Sequence, residues 1–175
     1  LSSHFAGIAH PPGYPLFTSI SFVFDQLPFG SVAYRAHLTS AFFGAAAAAA
    51  LWWCVFQLVS SKFAAYVSAY AFGFSKTVWS QAIVAEVYTL NAFFFFLILS
   101  MCLRFYFEAR NGNASQVILT RKLLLISFLF GLSLTNHWPL MVLASPAFVL
   151  LIWPNWRLVL QKLPILLGCF IVGLG

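Results

Sequence analysis

Polar and apolar positions in this chain fall in blocks rather than alternating singly. Long apolar runs occupy residues 38–59, 63–79, 85–103, 123–153 and 163–175, separated by short polar stretches. Nearly charge-free runs of this size match a helix crossing a hydrocarbon core of about 30 Å, which takes about 20 residues at 1.5 Å each. A membrane barrel would instead alternate polar and apolar positions over about ten residues. The pattern predicts an all-α integral membrane protein, a polytopic helical bundle of about six spans.

Taken in order, residues 1–35 form a polar preface and residues 36–175 the transmembrane bundle. In the preface, Pro11, Pro12, Gly13 and Pro15 forbid a regular helix and predict a rigid, extended turn. Residues 16–27 are apolar but short and carry Asp25, which suits a helix lying along the membrane surface. In the first span, six consecutive alanines follow Gly44, and small side chains let a neighbouring helix approach closely. Residues 63–79 read as a second span. Residues 63–103 cannot be one helix, since it would be about 62 Å long. A break is expected at residues 79–85, which puts Glu86 at a turn. Residues 123–153 leave two alternatives: one broken helix, or two short spans turning at Asn136-His137-Trp138-Pro139.

Composition agrees. The chain is 62% hydrophobic and only 7% charged, against about 25% charged in soluble domains, which excludes a soluble fold of this length. The net charge of +6 bears on loop orientation and not on nucleic acid. With a turn at residues 136–139, seven of the nine basic residues share one side, leaving Arg35 and Lys76 opposite. Lys and Arg collect on the cytoplasmic side, so the N-terminal preface is expected to be non-cytoplasmic, in a periplasm or lumen. The same assignment gathers all four histidines, Asp25 and Glu86 on that outer face and leaves the Asn113-Ala114-Ser115 sequon cytoplasmic and unglycosylated. Cys54, Cys102 and Cys169 show no metal or disulfide spacing and read as small core residues. With no initiator Met and an end inside an apolar run, the chain reads as a fragment, truncated at both ends.

Glu86 is the first candidate for chemistry. It is one of three acidic residues and stands at the mouth of an uncharged run containing four consecutive phenylalanines. A carboxylate costs about 2.5–3.5 kcal/mol at the bilayer centre and less at its edge, so an isolated acid there marks a functional site. The alternatives are a carboxylate reaching water, or pairing with Lys76.

Several segments together resemble a known family. They are Ala9-His10-Pro11-Pro12-Gly13-Tyr14-Pro15-Leu16, Tyr34-Arg35-Ala36-His37-Leu38, Trp79-Ser80-Gln81-Ala82 with Ala85-Glu86-Val87-Tyr88-Thr89-Leu90-Asn91, and Gly131-Leu132-Ser133-Leu134-Thr135-Asn136-His137. This family was first filed as a domain of unknown function and is now grouped with the C-type (GT-C) glycosyltransferases. Its animal members include endoplasmic-reticulum O-mannosyltransferases acting on plexin-like receptor domains, and it has bacterial homologues.

The resemblance implies a membrane enzyme that moves a sugar, mannose in the animal members, from a polyprenyl-phosphate donor to a protein Ser or Thr hydroxyl. The expected compartment is the bacterial inner membrane or the endoplasmic reticulum membrane. It also implies an acidic motif of the Gly-Asp-x-Gly-Glu kind just before the His-Pro-Pro turn, upstream of Leu1. Such transfer needs a base at the acceptor and cationic or hydrogen-bonding groups at the departing phosphate. Arg35 is the first choice for the phosphate, which Arg grips bidentately, with Lys76 second. An interfacial anchor is the plainer reading of Arg35. Glu86 and His10 are the catalytic candidates: Glu86 would position acceptor or sugar hydroxyls, and the Pro-Pro turn would fix His10. Tyr14, His137, Gln81, Tyr88 and Asn91 complete the substrate-binding set. The last three are expected on one helical face, where they could equally knit spans together. No metal set is visible; a divalent ion shared by Glu86 and upstream acids is the one metal reading left open. The expected partners are membrane lipid, the lipid-linked sugar and a protein acceptor, with no nucleic acid. Competing classes are a transporter with a polar vestibule and a non-catalytic membrane subunit.

Overall fold

The computed structural model describes residues 14–112 and 114–175. Seven helices account for most of them: α1 (Pro15–Asp25), α2 (Val32–Val59), α3 (Lys62–Gly73), α4 (Lys76–Ala82), α5 (Tyr88–Arg110), α6 (Gln116–Ile152) and α7 (Trp156–Leu174). No strand occurs among the described residues. Serine starts four of these helices: Ser31, Ser61, Ser75 and Ser115 each accept a backbone N–H of the first turn of α2, α3, α4 and α6. Such a cap satisfies a donor that a helix end otherwise leaves without a partner.

The helices run between two ends of a bundle. Level with each other at one end are Ser40 of α2, Glu86 before α5 and Asn136 of α6. At the other, Glu108 of α5 holds both Arg104 and Lys122. Helices α2 and α5 run side by side in the same direction, with the Cys54 thiol on the Phe96 carbonyl and the Gln57 amide on the Ser100 carbonyl. Helices α3 and α4 return along α2, so that Gly73 faces Ala48 and Ala82 faces Gly44. The small-residue expectation for α2 holds on one face: Ser40, Gly44, Ala47 and Cys54 are buried, at helical spacing, while Ala45 and Ala49 are exposed.

Two expectations are corrected. Residues 63–79 are not one span: α3 ends at Gly73, and Ser75 starts α4 by accepting the Val78 N–H, so a local cap outcompetes helix continuation. The next break runs from Ile83 to Val87, slightly beyond residues 79–85, and α5 starts at Tyr88 rather than Ala85.

The ambiguity in residues 123–153 is resolved in favour of a turn. His137 leaves the helical region (φ −148°, ψ 92°), two residues before Pro139. A proline ring inside a helix clashes with the carbonyl four residues back and removes one hydrogen bond. The arms on either side of His137 fold together, since Phe130 lies 6.3 Å from Phe148. In a straight helix those rings would be about 27 Å apart. Helix α7 then runs alongside the first arm, with the Ser127 hydroxyl on the Leu166 carbonyl.

By length and hydropathy, Val32–Val59, Tyr88–Arg110 and the folded run Gln116–Leu174 can cross a membrane. The count of about six spans is therefore not reached on these criteria. The α3–α4 return is made of two short helices, and the last run counts as one continuous candidate although it folds back at His137. Helix α1 has 11 residues, too few to cross. It rests on the Glu86 end, its Phe17 packed with Val87, Leu90 and Phe94 and its Ser21 hydroxyl on Thr39.

Candidate functional site at one end of the bundle

The link between α4 and α5 carries Glu86. Its N–H donates to the Val84 carbonyl at 2.9 Å, a tight turn of the i to i+2 kind. The side chain of Glu86 is exposed, but its main chain is held from α2. The Ser40 hydroxyl donates to the Glu86 carbonyl and accepts the Glu86 N–H, both at 3.0 Å. The next residue, Val87, precedes α5 and offers no side-chain cap. Its carbonyl accepts the Asn91 N–H at 3.0 Å and the Asn136 side-chain amide at 3.1 Å. Ser40 is fully buried and Asn136 only 2% exposed; the Asn136 bond is buried and the two Ser40 bonds are partly so. Gly44, one turn below Ser40, packs close to the same link: a Cβ there would make ordinary van der Waals contact, 3.4 Å from Ala82 and 3.6 Å from Thr89.

Beside this turn, the kink places His137 between two tyrosines. Its ring stacks on Tyr14 at 6.2 Å and meets the edge of Tyr88 at 5.6 Å. Tyr14 itself sits in the left-handed region, at φ 41°. The His137 Nδ1, Asn136 Oδ1, Asn91 Oδ1 and Thr89 Oγ1 are buried without a hydrogen-bond partner. Such groups cost free energy unless something supplies the missing partner, and they cluster at functional sites. Arg35 stands on α2 five residues before Ser40, about 140° round the helix. Its Nη1 donates to the Leu27 carbonyl at 2.7 Å, and its Nε is buried with no partner.

Residues 1–159 match the family described as the protein O-mannosyl-transferase TMEM260 N-terminal domain. The chain belongs to this family. It is similar to protein O-mannosyl-transferase TMEM260 of Mus musculus, at 37% identity over 164 residues, covering 92% of this chain and 22% of that protein. It is also similar to protein O-mannosyl-transferase tmem260 of Dictyostelium discoideum, at 30% identity over 151 residues, covering 82% of this chain and 18% of that protein. The chain thus spans about a fifth of the length of these relatives. No solved structure matches it.

Membership in the TMEM260 family bears out the resemblance read from the motifs; the structure adds where those motif residues lie. Tyr14, Tyr88 and His137 come together, and Asn91 is buried in the first turn of α5. Glu86 is next to them in sequence and shares their end. Arg35, on α2, reaches toward Leu27 after α1, whereas Glu86 meets α2 at Ser40 from the side of α5. Lys76 is exposed at the first residue of α4, and neither Lys76 nor Glu86 joins an ion pair among the described residues. The stripe expected of Gln81, Tyr88 and Asn91 is divided, because α4 stops at Ala82 before the turn. Gln81 and Tyr88 line a small pocket with Thr77 and Thr89 between α2, α4 and α5, while Asn91 lies elsewhere, at 2% exposure. His10 and its Pro-Pro turn lie outside the described residues. Among the described residues, no group of three or more His, Cys, Asp and Glu side chains could hold a metal. Sequence reasoning missed Ser40 as a site residue and gave Asn136 no role of its own. The available signal was a pair of hydroxyls, Thr39 and Ser40, inside an otherwise apolar run.

Proposed function

We propose that this chain is the N-terminal membrane part of a GT-C-type protein O-mannosyltransferase. In this reading the whole protein moves mannose from a polyprenyl-phosphate donor to a protein Ser or Thr hydroxyl at the non-cytoplasmic membrane face. The family match over residues 1–159 carries the reading. The gathering of Glu86, Tyr14, Tyr88, Asn91 and His137 at one end of an otherwise apolar bundle supports it.

The reaction breaks the bond from the anomeric carbon to the phosphate oxygen and forms one to the acceptor oxygen. The hydroxyl proton goes to a base, and polyprenyl phosphate leaves. Within the described residues, the exposed Glu86 carboxylate orients acceptor or sugar hydroxyls, and Tyr88 and His137 flank the sugar. Arg35 and Lys76 supply positive charge for the phosphate. In this reading, acidic residues upstream of Leu1 in the whole protein act as the general base, and His10 is a further catalytic group. A divalent ion, if the enzyme uses one, is held by Glu86 with those same acids. The compartment in this reading is the bacterial inner membrane or the endoplasmic reticulum membrane, with the N-terminal segment non-cytoplasmic.

The test uses the full-length protein with a mannosyl-phosphate polyprenol and a Ser/Thr-bearing receptor domain. Glu86→Gln and Arg35→Ala should each lower transfer by about 10²–10³-fold, the effect of losing one group that stabilises the transition state. Membrane insertion should be unchanged. Wild-type transfer in both variants would overturn the site assignment.

A further inference from the structure

We infer that Ser40 and Asn136 are positioning residues, a two-helix clamp that fixes the orientation of the Glu86 turn. The inference rests on the role proposed above for Glu86. Four helices of this bundle are capped by a serine that stands immediately before them. The start of α5 has none; there the chain offers Val87, which has no side chain to donate or accept. The bonds come from two other helices, 46 residues upstream and 49 downstream. Ser40 uses donor and acceptor capacity on the carbonyl and N–H of one residue, Glu86, which holds the two peptide units flanking its Cα. Asn136 holds the following carbonyl, that of Val87, so three successive peptide units are held from two other helices.

A turn that only linked α4 to α5 would need no such anchoring, since an exposed link of five residues can satisfy its backbone with water. A turn that presents a carboxylate to a substrate does need it, because a displacement of about 1 Å can cost about 10²-fold in rate. Asn136 is also the neighbour of His137 at the kink. The clamp therefore ties the Glu86 turn to the histidine wedged between Tyr14 and Tyr88, making one rigid end out of α2, α5 and α6.

The experiment measures steady-state mannosyl transfer by the full-length enzyme, with the same polyprenol donor and receptor domain. Ser40→Ala should lower kcat by about 10- to 100-fold with KM for the donor within about twofold, as expected when orientation rather than binding is lost. Asn136→Leu, similar in size but unable to donate, should do the same. Ser145→Ala, whose hydroxyl only returns to the Val142 carbonyl of its own helix, should leave kcat unchanged. In the Glu86→Gln background, adding Ser40→Ala should change the residual rate by less than about twofold, because the clamp acts through that carboxylate. A further loss equal to that in the wild-type background would make Ser40 a general structural residue and overturn the clamp. Wild-type kcat in Ser40→Ala and Asn136→Leu, with Glu86→Gln impaired, overturns the clamp alone. Wild-type kcat in Glu86→Gln overturns the reading beneath it.

Discussion

The three acidic side chains meet different surroundings, and the differences are instructive residue by residue. Asp25 is buried at the end of α1, Glu108 is bound by Arg104 and Lys122, and Glu86 is exposed on a turn whose main chain is fixed. Glu86 was legible from the sequence because a charge before a long apolar run is costly and stands out. The groups that hold it were not legible, because serine and asparagine are common in membrane helices and their partners lie far along the chain. At another residue, Ser60 ends α2 in the left-handed region, at φ 55°. A side chain there costs about 1–2 kcal/mol relative to the right-handed region, and glycine escapes most of that. Ser60→Gly should therefore raise stability by up to about 1 kcal/mol, read as a higher denaturant midpoint in detergent. A lower midpoint would show that the Ser60 side chain contributes something at this cap beyond its backbone shape.

Elements were legible in their order, and less so in their number and at their breaks. Apolar runs located α2, α5 and the arms of α6, because a helix buried in lipid must keep polar groups off its length. The Gly73–Ser75 break escaped notice because it depends on a single serine cap competing with helix continuation, and no proline marks it. The turn at His137 was one of two readings of the same residues, and contacts across it decided between them. Packing of α6 on α7 depends on Gly131 and Gly173, where an added Cβ would run into the carbonyl oxygens of Phe170 and Phe128. Gly131→Val should cost about 1–3 kcal/mol by pushing the helices apart, measured by unfolding in mixed detergent. Gly168→Ala, whose Cβ meets open space, should hold or raise stability, because alanine is the better helix former. Equal losses in both variants would mean that helix propensity, and not the close crossing, governs this pair.

For the whole molecule, the proposed function requires the two ends of the bundle to face different compartments. One end carries Tyr14, Glu86 and His137; the other carries Arg104, Glu108 and Lys122. Helix α5 separates them with 23 residues, about 35 Å, slightly more than a hydrocarbon core. The basic residues are distributed unequally between the ends, and the proposed orientation, with the Glu108 end cytoplasmic, rests on that asymmetry. Cysteine labelling tests this in sealed vesicles with a Cys-free background. Asn111→Cys, exposed just past α5, should react with a membrane-impermeant thiol reagent only from the cytoplasmic side. Glu86→Cys should react only from the opposite side. Labelling of both from one side would mean that α5 does not cross, and the polar end could not then be the place where a lipid-linked sugar meets a protein acceptor. Opposite labelling with the sides exchanged would keep the bundle but turn the candidate site toward the cytoplasm. In that case a lumenal or periplasmic acceptor would be out of its reach.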